Sequence, residues 1–218
     1  FSLWRENGAL NSRPVFDAFA NSLVGAGHDV VNNDNSSDVD VIWSVLWHGR
    51  MAANKHIWQT NQTNKKPTIV LEVGGIRRGI TWKVGLNGIN RDAYFGPSGN
   101  DYTRANHLGL HLKPWRSEGN YILICGQHEK SQQWEHLPNM TAWLGNTINT
   151  IRDHTDMPIY WRPHPRYPVQ YVEQDFKNVT RQTPSKIEST YDDYDFNVRD
   201  AWATVCWSSN PGPHSIIG

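Results

Sequence analysis

Two arginines and a histidine follow a predicted strand in residues 159–166, whose sequence is IYWRPHPR. Proline lacks the N–H that an interior strand donates, so the two prolines end this strand close to Arg162. Ligands bind at the carboxyl edge of an open α/β sheet, and the planar guanidinium of arginine can donate two parallel hydrogen bonds to phosphate oxygens. We expect Arg162, His164 and Arg166 to hold an anionic ligand; the alternative is a surface loop whose arginines face water.

Two further predicted strands, 121–125 and 203–207, also end in small or polar residues. The residues at these two exits include Gln127, Lys130, Ser208, Ser209 and Gly212. The second exit precedes the start of a predicted helix, where free N–H groups suit a phosphate group or a sugar hydroxyl.

Polar side chains likewise follow the predicted strands of the first half of the chain. They are Glu6, His48 and Glu72, together with Arg77 and Arg78 in the glycine-rich turn 74–79. Glycines allow a backbone to approach a ligand closely, and successive N–H groups can bind an anion. The alternative for this turn is a hairpin tip whose arginines face water, and the alternative for each acid is a solvated loop carboxylate.

The order of the predicted elements indicates an α/β protein. Apolar strands alternate with amphipathic helices, which is typical of doubly wound parallel sheets. The pattern restarts in the second half, so we predict two Rossmann-like units with parallel sheets that face a cleft. Their predicted boundaries are 1–115 and 116–218. Residues 215–218 would form only the first turn of a helix, so the second domain is expected to continue beyond the sequence.

Composition excludes several classes of protein. Lys plus Arg and Asp plus Glu both number 21, so no overall basic field directs the chain to nucleic acid, although a local basic patch stays open. We predict no membrane span, because no apolar run approaches about 18 residues. The two cysteines give neither a disulfide framework nor a metal-site spacing. Walker and Gly-x-Gly-x-x-Gly motifs are absent, which argues against an ATPase or a dinucleotide dehydrogenase.

The second half resembles the nucleotide-sugar-binding half of GT-B glycosyltransferases. The features that match are the Gly-Gln strand exit at residue 126, the His-Pro loop 162–166, and the strand that ends in Trp-Ser-Ser before a glycine-containing turn. The resemblance implies a donor site formed by Gln127, Lys130, Arg162, His164, Arg166, Ser208, Ser209 and Gly212. It implies a nucleotide-sugar co-substrate, with a UDP-sugar expected, and neither a cofactor nor a metal. The acidic residue that often binds the donor ribose in this family would lie beyond residue 218.

The first half resembles the phage-type glycosyltransferases that modify DNA bases. This resemblance implies DNA as a partner, with His48, Arg77 and Arg78 on the acceptor side. An inverting enzyme would also need a catalytic carboxylate there as a base, and Glu6 and Glu72 are the candidates because both lie at predicted strand exits. The expected location is the cytoplasm, that of the host cell for a phage protein. Two alternatives stay open: a glycosyltransferase of a surface polysaccharide or other glycan, and a non-catalytic protein that binds a nucleotide or anion. The sequence does not decide between an inverting and a retaining reaction.

Overall fold

The computed structural model describes residues 1–94, 96–97, 101–167, 169–170, 172–190 and 192–217. The chain divides into two units: Phe1–Gly96 with Lys130–Gln133, and Pro97–Glu129 with Trp134–Gly218. The sequence-based boundary at residue 115 therefore differs from the division in the structure, and Lys130 belongs to the first unit. Residues 95, 98–100, 168, 171, 191 and 218, which the predicted domains include, lie outside the described residues.

The described part of the first unit contains a mixed five-stranded sheet. Its strands are β1 (Ser2–Leu3), β2 (Val31–Asn32), β3 (Asp40–Trp43), β4 (Thr68–Val73) and β5 (Trp82–Leu86). They lie in the order β2-β1-β3-β4-β5; the first four are parallel, and β5 is antiparallel to β4. The prediction of an all-parallel sheet is wrong here. Residues 74–81 are too few for the crossover that a parallel pair requires, so the chain turns back as a hairpin.

Helices cover both faces of this first sheet. Helix α1 (Arg13–Gly25) has a proline in its first turn, where the missing N–H costs nothing, and Phe16 packs with Trp43 on one face. Helix α2 (Asn54–Asn64) packs Ile57 and Trp58 against the opposite face. Short 3₁₀ helices span Arg5–Asn7, Gly49–Ala53 and Asn90–Asp92. The sheet is therefore buried on both sides, which is why β3 and β4 are nearly continuous apolar runs.

The second unit contains a four-stranded parallel sheet among its described residues. Its strands are β6 (Tyr121–Cys125), β7 (Ile159–Arg162), β8 (Val179–Arg181) and β9 (Ala201–Cys206), in the order β8-β7-β6-β9. Its helices are α3 (Thr103–His107), α4 (Met140–Arg152) and α5 (Pro211–Ile217), with a 3₁₀ turn at Glu173–Asp175. A further 3₁₀ turn, Gln132–Trp134, crosses the division between the units.

Helix α4 forms the apolar layer on one face of the second sheet. Leu144 and Ile148 are fully buried against Trp161 and the apolar side chains of β6. Asn139 caps this helix, because its side-chain oxygen accepts a hydrogen bond from the N–H of Ala142 at 2.8 Å. None of the helices in the described residues is long and apolar enough to cross a membrane.

Candidate functional site

Strand order places a topological switch point between β6 and β9. The chain passes from β6 to β7 and β8 on one side of β6, and then returns to form β9 on its other side. At such a point two neighbouring strands lead into loops that diverge, and the carboxyl ends of the strands frame a crevice where α/β proteins bind ligands. The exits of β6 and β9 therefore form a candidate ligand site.

Gln127 and Ser208 meet at this switch point. Gln127 is buried, and its side-chain oxygen accepts hydrogen bonds from the Ser208 N–H at 3.2 Å and the Ser208 hydroxyl at 2.7 Å. The next hydroxyl, that of Ser209, is buried, and a hydrogen bond with it opposes the burial that raises the pKa of Cys206. The structure thus brings together three residues that the sequence analysis placed in one site.

The glycines at these exits have packing roles. A Cβ atom on Gly126 would lie 2.5 Å from the ring of Trp161, and one on Gly212 would lie 2.7 Å from the Cys206 sulfur. Cys125 and Cys206 are register partners on β6 and β9. Burial, reinforced by Cys206 and opposed by Arg162, raises the pKa of Cys125 to about 12. Cys125 is therefore an unreactive packing residue directly before the site.

A cluster of ionisable rings joins the exits of β6 and β7. His128 is buried, with its ring centroid 5.5 Å from that of His164 and 4.8 Å from that of Tyr167. The Tyr167 hydroxyl donates to one carboxylate oxygen of Glu129 at 2.9 Å, and the other oxygen accepts from the N–H of Met140 at the start of α4. Burial, together with this bond to Glu129, raises the pKa of Tyr167.

The sequence analysis missed three members of this cluster. His128 and Glu129 directly follow the strand exit that contributes Gln127, and Tyr167 directly follows the loop 162–166, so proximity to a strand exit was the available signal. His164, which was predicted, is half-buried, and its Nδ1 accepts a hydrogen bond from the Arg166 N–H at 3.2 Å.

Arg162 lies inside the second unit. It is 7% exposed, and its guanidinium bonds to the carboxylate of Asp195 at 3.0 Å and also to the Asp195 carbonyl oxygen. Its other terminal nitrogen donates to the Gln182 side chain at 3.4 Å, and the guanidinium lies 5.7 Å from the centroid of the Phe196 ring. Arg162 therefore anchors Gln182, Asp195 and Phe196 to the end of β7.

Arg166 is placed differently. Its side chain is 50% exposed and forms an ion pair with Asp192, whose side chain is 10% exposed. Both arginines of the predicted anion-binding loop thus contact acids from one later segment of the chain.

The first unit has a switch point of its own, between β1 and β3. The chain forms β2 on one side of β1 and then β3 on the other. Glu6 is exposed in the 3₁₀ turn after β1, and His48 is exposed just before the 3₁₀ helix Gly49–Ala53. These two turns pack against each other, and the buried Asn54 side chain donates to the Trp43 carbonyl oxygen at 2.7 Å. Glu6 and His48 therefore lie at the two strand exits that frame this switch point.

Glu72 faces a different partner. It is the antiparallel register partner of Lys83, and one of its carboxylate oxygens accepts from the N–H of Val73 at 2.8 Å. Lys83 donates to the Asn90 side chain at 3.1 Å. Burial lowers the pKa of Lys83, Glu72 opposes this effect and Arg78 adds to it. Glu72 thus has local partners in the β4–β5 hairpin.

Arg77 and Arg78 lie at the tip of that hairpin. Arg77 is exposed and has a left-handed backbone with φ of 48°, while Arg78 is half-buried. Thr81 closes the turn by donating its hydroxyl to the carbonyl oxygen of Ile76. Lys130 is exposed in the first unit, where its carbonyl oxygen accepts from the Trp47 N–H at 3.0 Å.

Within the described residues, no group of three or more His, Cys, Asp or Glu side chains could hold a metal ion. Comparison with known families finds no family model that matches this chain, and a search of curated proteins also finds no match.

Proposed function

We propose that this chain is a glycosyltransferase that uses a nucleoside-diphosphate sugar, with the donor bound at the carboxyl edge of the sheet in the second unit. The observation that carries the proposal is the pairing of Gln127 with Ser208 across the switch point between β6 and β9. This pairing supports a ligand site there because it fixes two strand exits at the position where α/β sheets bind nucleotides.

The donor's diphosphate is assigned to the exit of β7. Arg166 supports this role because half of its side chain is exposed, so a phosphate oxygen can reach it. Arg162 is a positioning residue, because its bonds to Asp195 hold the loop that carries His164 and Arg166. The Ser208 hydroxyl oxygen suits a sugar hydroxyl, from which it can accept, because its own proton goes to Gln127. The buried hydroxyl of Ser209 suits a phosphate oxygen or a sugar hydroxyl, and Gly212 packs against the Cys206 sulfur nearby.

The reaction needs stabilisation of a leaving group and removal of a proton. An acceptor hydroxyl oxygen attacks the anomeric carbon, and the electron pair of the breaking bond moves onto the nucleoside diphosphate. Fixed positive charge at the diphosphate stabilises this developing charge. In an inverting reaction a carboxylate takes the acceptor's proton. Of the two proposed carboxylates, Glu6 is the better candidate for the base, because its side chain is exposed. Glu72, in contrast, accepts a backbone hydrogen bond beside Lys83.

As acceptor we propose a hydroxyl on a modified DNA base. Its support is local charge: Arg77 is exposed at a hairpin tip, with Arg78 next to it. Phosphate contacts depend on such local charge rather than on net charge, so binding should fall steeply with salt and weaken in Arg77→Ala. Binding that is insensitive to salt, with transfer to an oligosaccharide, would indicate the glycan acceptor instead.

A thermal-shift panel of UDP, GDP, CDP, ADP and their sugars tests the donor site. A ligand that binds only the folded state raises the melting temperature, by an amount set by its concentration relative to its Kd. We expect one nucleoside diphosphate to raise it, and Arg166→Ala to reduce that shift. Arg199→Ala, which removes an exposed arginine of the same unit, is the matched control. An unchanged melting temperature with every nucleotide would overturn the proposal.

Transfer itself is tested with the donor that binds. We expect Glu6→Gln to lower kcat by roughly 10²–10⁴-fold while leaving donor affinity unchanged, if the enzyme is inverting. Donor binding without hydrolysis or transfer to any acceptor would favour a non-catalytic nucleotide-binding protein.

A further inference from the structure

An acidic segment lies against the predicted anion-binding loop. Residues 188–200 contain five acids and a single arginine. The residues before and within this segment turn back on themselves: the Asp195 N–H donates to the Ser185 carbonyl oxygen at 2.9 Å, and the Ile187 N–H donates to that of Asp193 at 2.9 Å. This arrangement, which we call the acidic turn (residues 185–190 and 192–195), directs Asp192 and Asp195 to the two arginines.

The two ion pairs differ in which member is exposed. In the first pair the Arg162 side chain is 8% exposed and that of Asp195 is 57% exposed, and Arg162 also bonds to the Gln182 side chain and the Asp195 carbonyl oxygen. The Arg166 side chain is 50% exposed, and water can compete for it. A buried guanidinium that loses its partner is costly, and an incoming anion cannot reach Arg162, whereas it can reach Arg166. The pair that an anion can open is therefore Arg166–Asp192.

Asp192 is the more buried member of that pair. Its side chain is 10% exposed, so a phosphate that takes Arg166 leaves a nearly buried carboxylate beside a new negative charge. The two like charges repel each other, so Asp192 must move away from Arg166. A carboxylate and a phosphate oxygen accept the same hydrogen bonds from a guanidinium, so the two compete for one donor.

We propose that Asp192 is an internal competitor of the donor's diphosphate for Arg166. In the ligand-free protein Asp192 occupies the guanidinium; on binding, a phosphate group replaces Asp192 while the Arg162–Asp195 pair stays in place. This inference rests on the proposed function, since it assigns the diphosphate to Arg166. The competition by Asp192 lowers the affinity of the site for the diphosphate, and removal of the Asp192 charge should restore that affinity.

The experiment is calorimetric titration of the full chain with UDP and with inorganic pyrophosphate. We expect Asp192→Asn to lower the Kd of both ligands by about 3- to 10-fold, because a half-exposed ion pair no longer has to open. Glu188→Gln is the matched control: it removes an exposed acid of the same turn, and the Kd should change by less than about twofold because water and salt screen exposed charges. In an Arg166→Ala background the gain from Asp192→Asn should disappear.

The possible outcomes distinguish failure of the Asp192 competition from failure of the donor site itself. Wild-type protein that binds UDP, with no tighter binding in Asp192→Asn, overturns the competition and leaves the donor site standing. A gain that persists in the Arg166→Ala background also overturns it, since the effect would then be a general change in charge. Failure of every variant to bind either ligand overturns both this inference and the proposed function. Melting curves of each variant, recorded first, ensure that folded proteins are compared.

Discussion

The side-chain oxygen of Gln127 accepts two hydrogen bonds from Ser208, one from the backbone N–H at 3.2 Å and one from the hydroxyl at 2.7 Å. Gln127 follows β6 and Ser208 follows β9, so these bonds join the two strands on either side of the switch point. A glutamine oxygen has two lone pairs, and both are used here by one residue. The consequence is a fixed distance between two loops that otherwise diverge.

The first prediction concerns this pair. Gln127→Ala should lower the free energy of unfolding by about 1–3 kcal/mol, because it leaves two donors of Ser208 without their acceptor in a mostly buried site. Ser208→Ala removes only the hydroxyl and should cost about 1 kcal/mol. The double variant should cost less than the sum of the two, and urea denaturation of all three variants measures the difference.

The exposed Gln174 provides a control for this cycle. Gln174→Ala should leave the free energy of unfolding within about 0.5 kcal/mol of the wild-type value. Strict additivity of Gln127→Ala and Ser208→Ala would contradict an energetic link between the two exits.

The second prediction separates the two arginines of the loop 162–166. Arg162→Ala should lower the free energy of unfolding by roughly 2–3 kcal/mol, since it removes charged hydrogen bonds from a buried position. Arg166→Ala should cost less than Arg162→Ala, because half of the Arg166 side chain is exposed and solvent screens its charge. Urea denaturation gives both values. Equal losses would show that burial does not distinguish the two residues in solution.

The third prediction tests the close packing behind the site. Gly126→Ala should destabilise the protein by about 1–3 kcal/mol, because the new methyl group would lie 2.5 Å from the Trp161 ring, which is fully buried and has no room to shift. Gly25→Ala, at the end of α1, meets nothing within 4 Å and should be neutral or slightly stabilising. Melting temperatures of the two variants check this. A tolerated Gly126→Ala would mean that β6 and β7 end further apart than described.

The fourth prediction concerns acid. Burial alone raises the pKa of Asp195, but hydrogen bonds from the Ser185 N–H and from Arg162, together with the charge of Arg162, bring it below the ordinary value of 3.8. Because the pKa of Asp195 is lowered in the folded state, its carboxylate stabilises the fold above pH 3.8, and this stabilisation is lost as the pH falls below that value. Asp195→Asn should therefore lose less stability than the wild type between about pH 5 and pH 2.

Urea midpoints at several pH values measure this loss. Asp175→Asn, which removes an exposed carboxylate of the same unit, should follow the wild-type curve. An identical acid response in Asp195→Asn would show that this carboxylate is not held by Arg162 in solution.

Local pattern predicted the strands well. The apolar runs 68–73 and 121–125 coincide with β4 and β6, and the two prolines after Arg162 mark the end of β7. These elements are determined by residues next to one another, through apolar content and the missing proline N–H. The sequence also placed Gln127, Ser208 and Ser209 at one edge of the sheet, because strand exits in a parallel sheet share one edge, and the structure brings Gln127 and Ser208 into contact there. Their role in ligand binding stays a prediction.

Contacts between residues far apart in the chain could not be predicted from the sequence. Nothing near Arg162 or Arg166 indicates that Asp195 and Asp192 would contact them, because residues 182–196 have no hydrophobic periodicity from which to place them. The sequence does not resolve β5: residues 81–106 are rich in Gly, Asn and Asp and fit either irregular or small antiparallel structure, and the glycine-rich turn before them is compatible with a hairpin. Lys130 follows a strand of the second unit in sequence, yet its backbone bonds to Trp47 in the first.

Hydrogen–deuterium exchange of the full chain with and without saturating UDP tests the location of the donor site most directly. The account predicts slower exchange at both exits that flank the switch point, residues 126–129 and 207–210, and in the loop 162–167. These segments are far apart in sequence, so joint protection would identify one site. Absence of any change, or protection confined to other parts of the chain, would contradict a nucleotide site between the ends of β6 and β9.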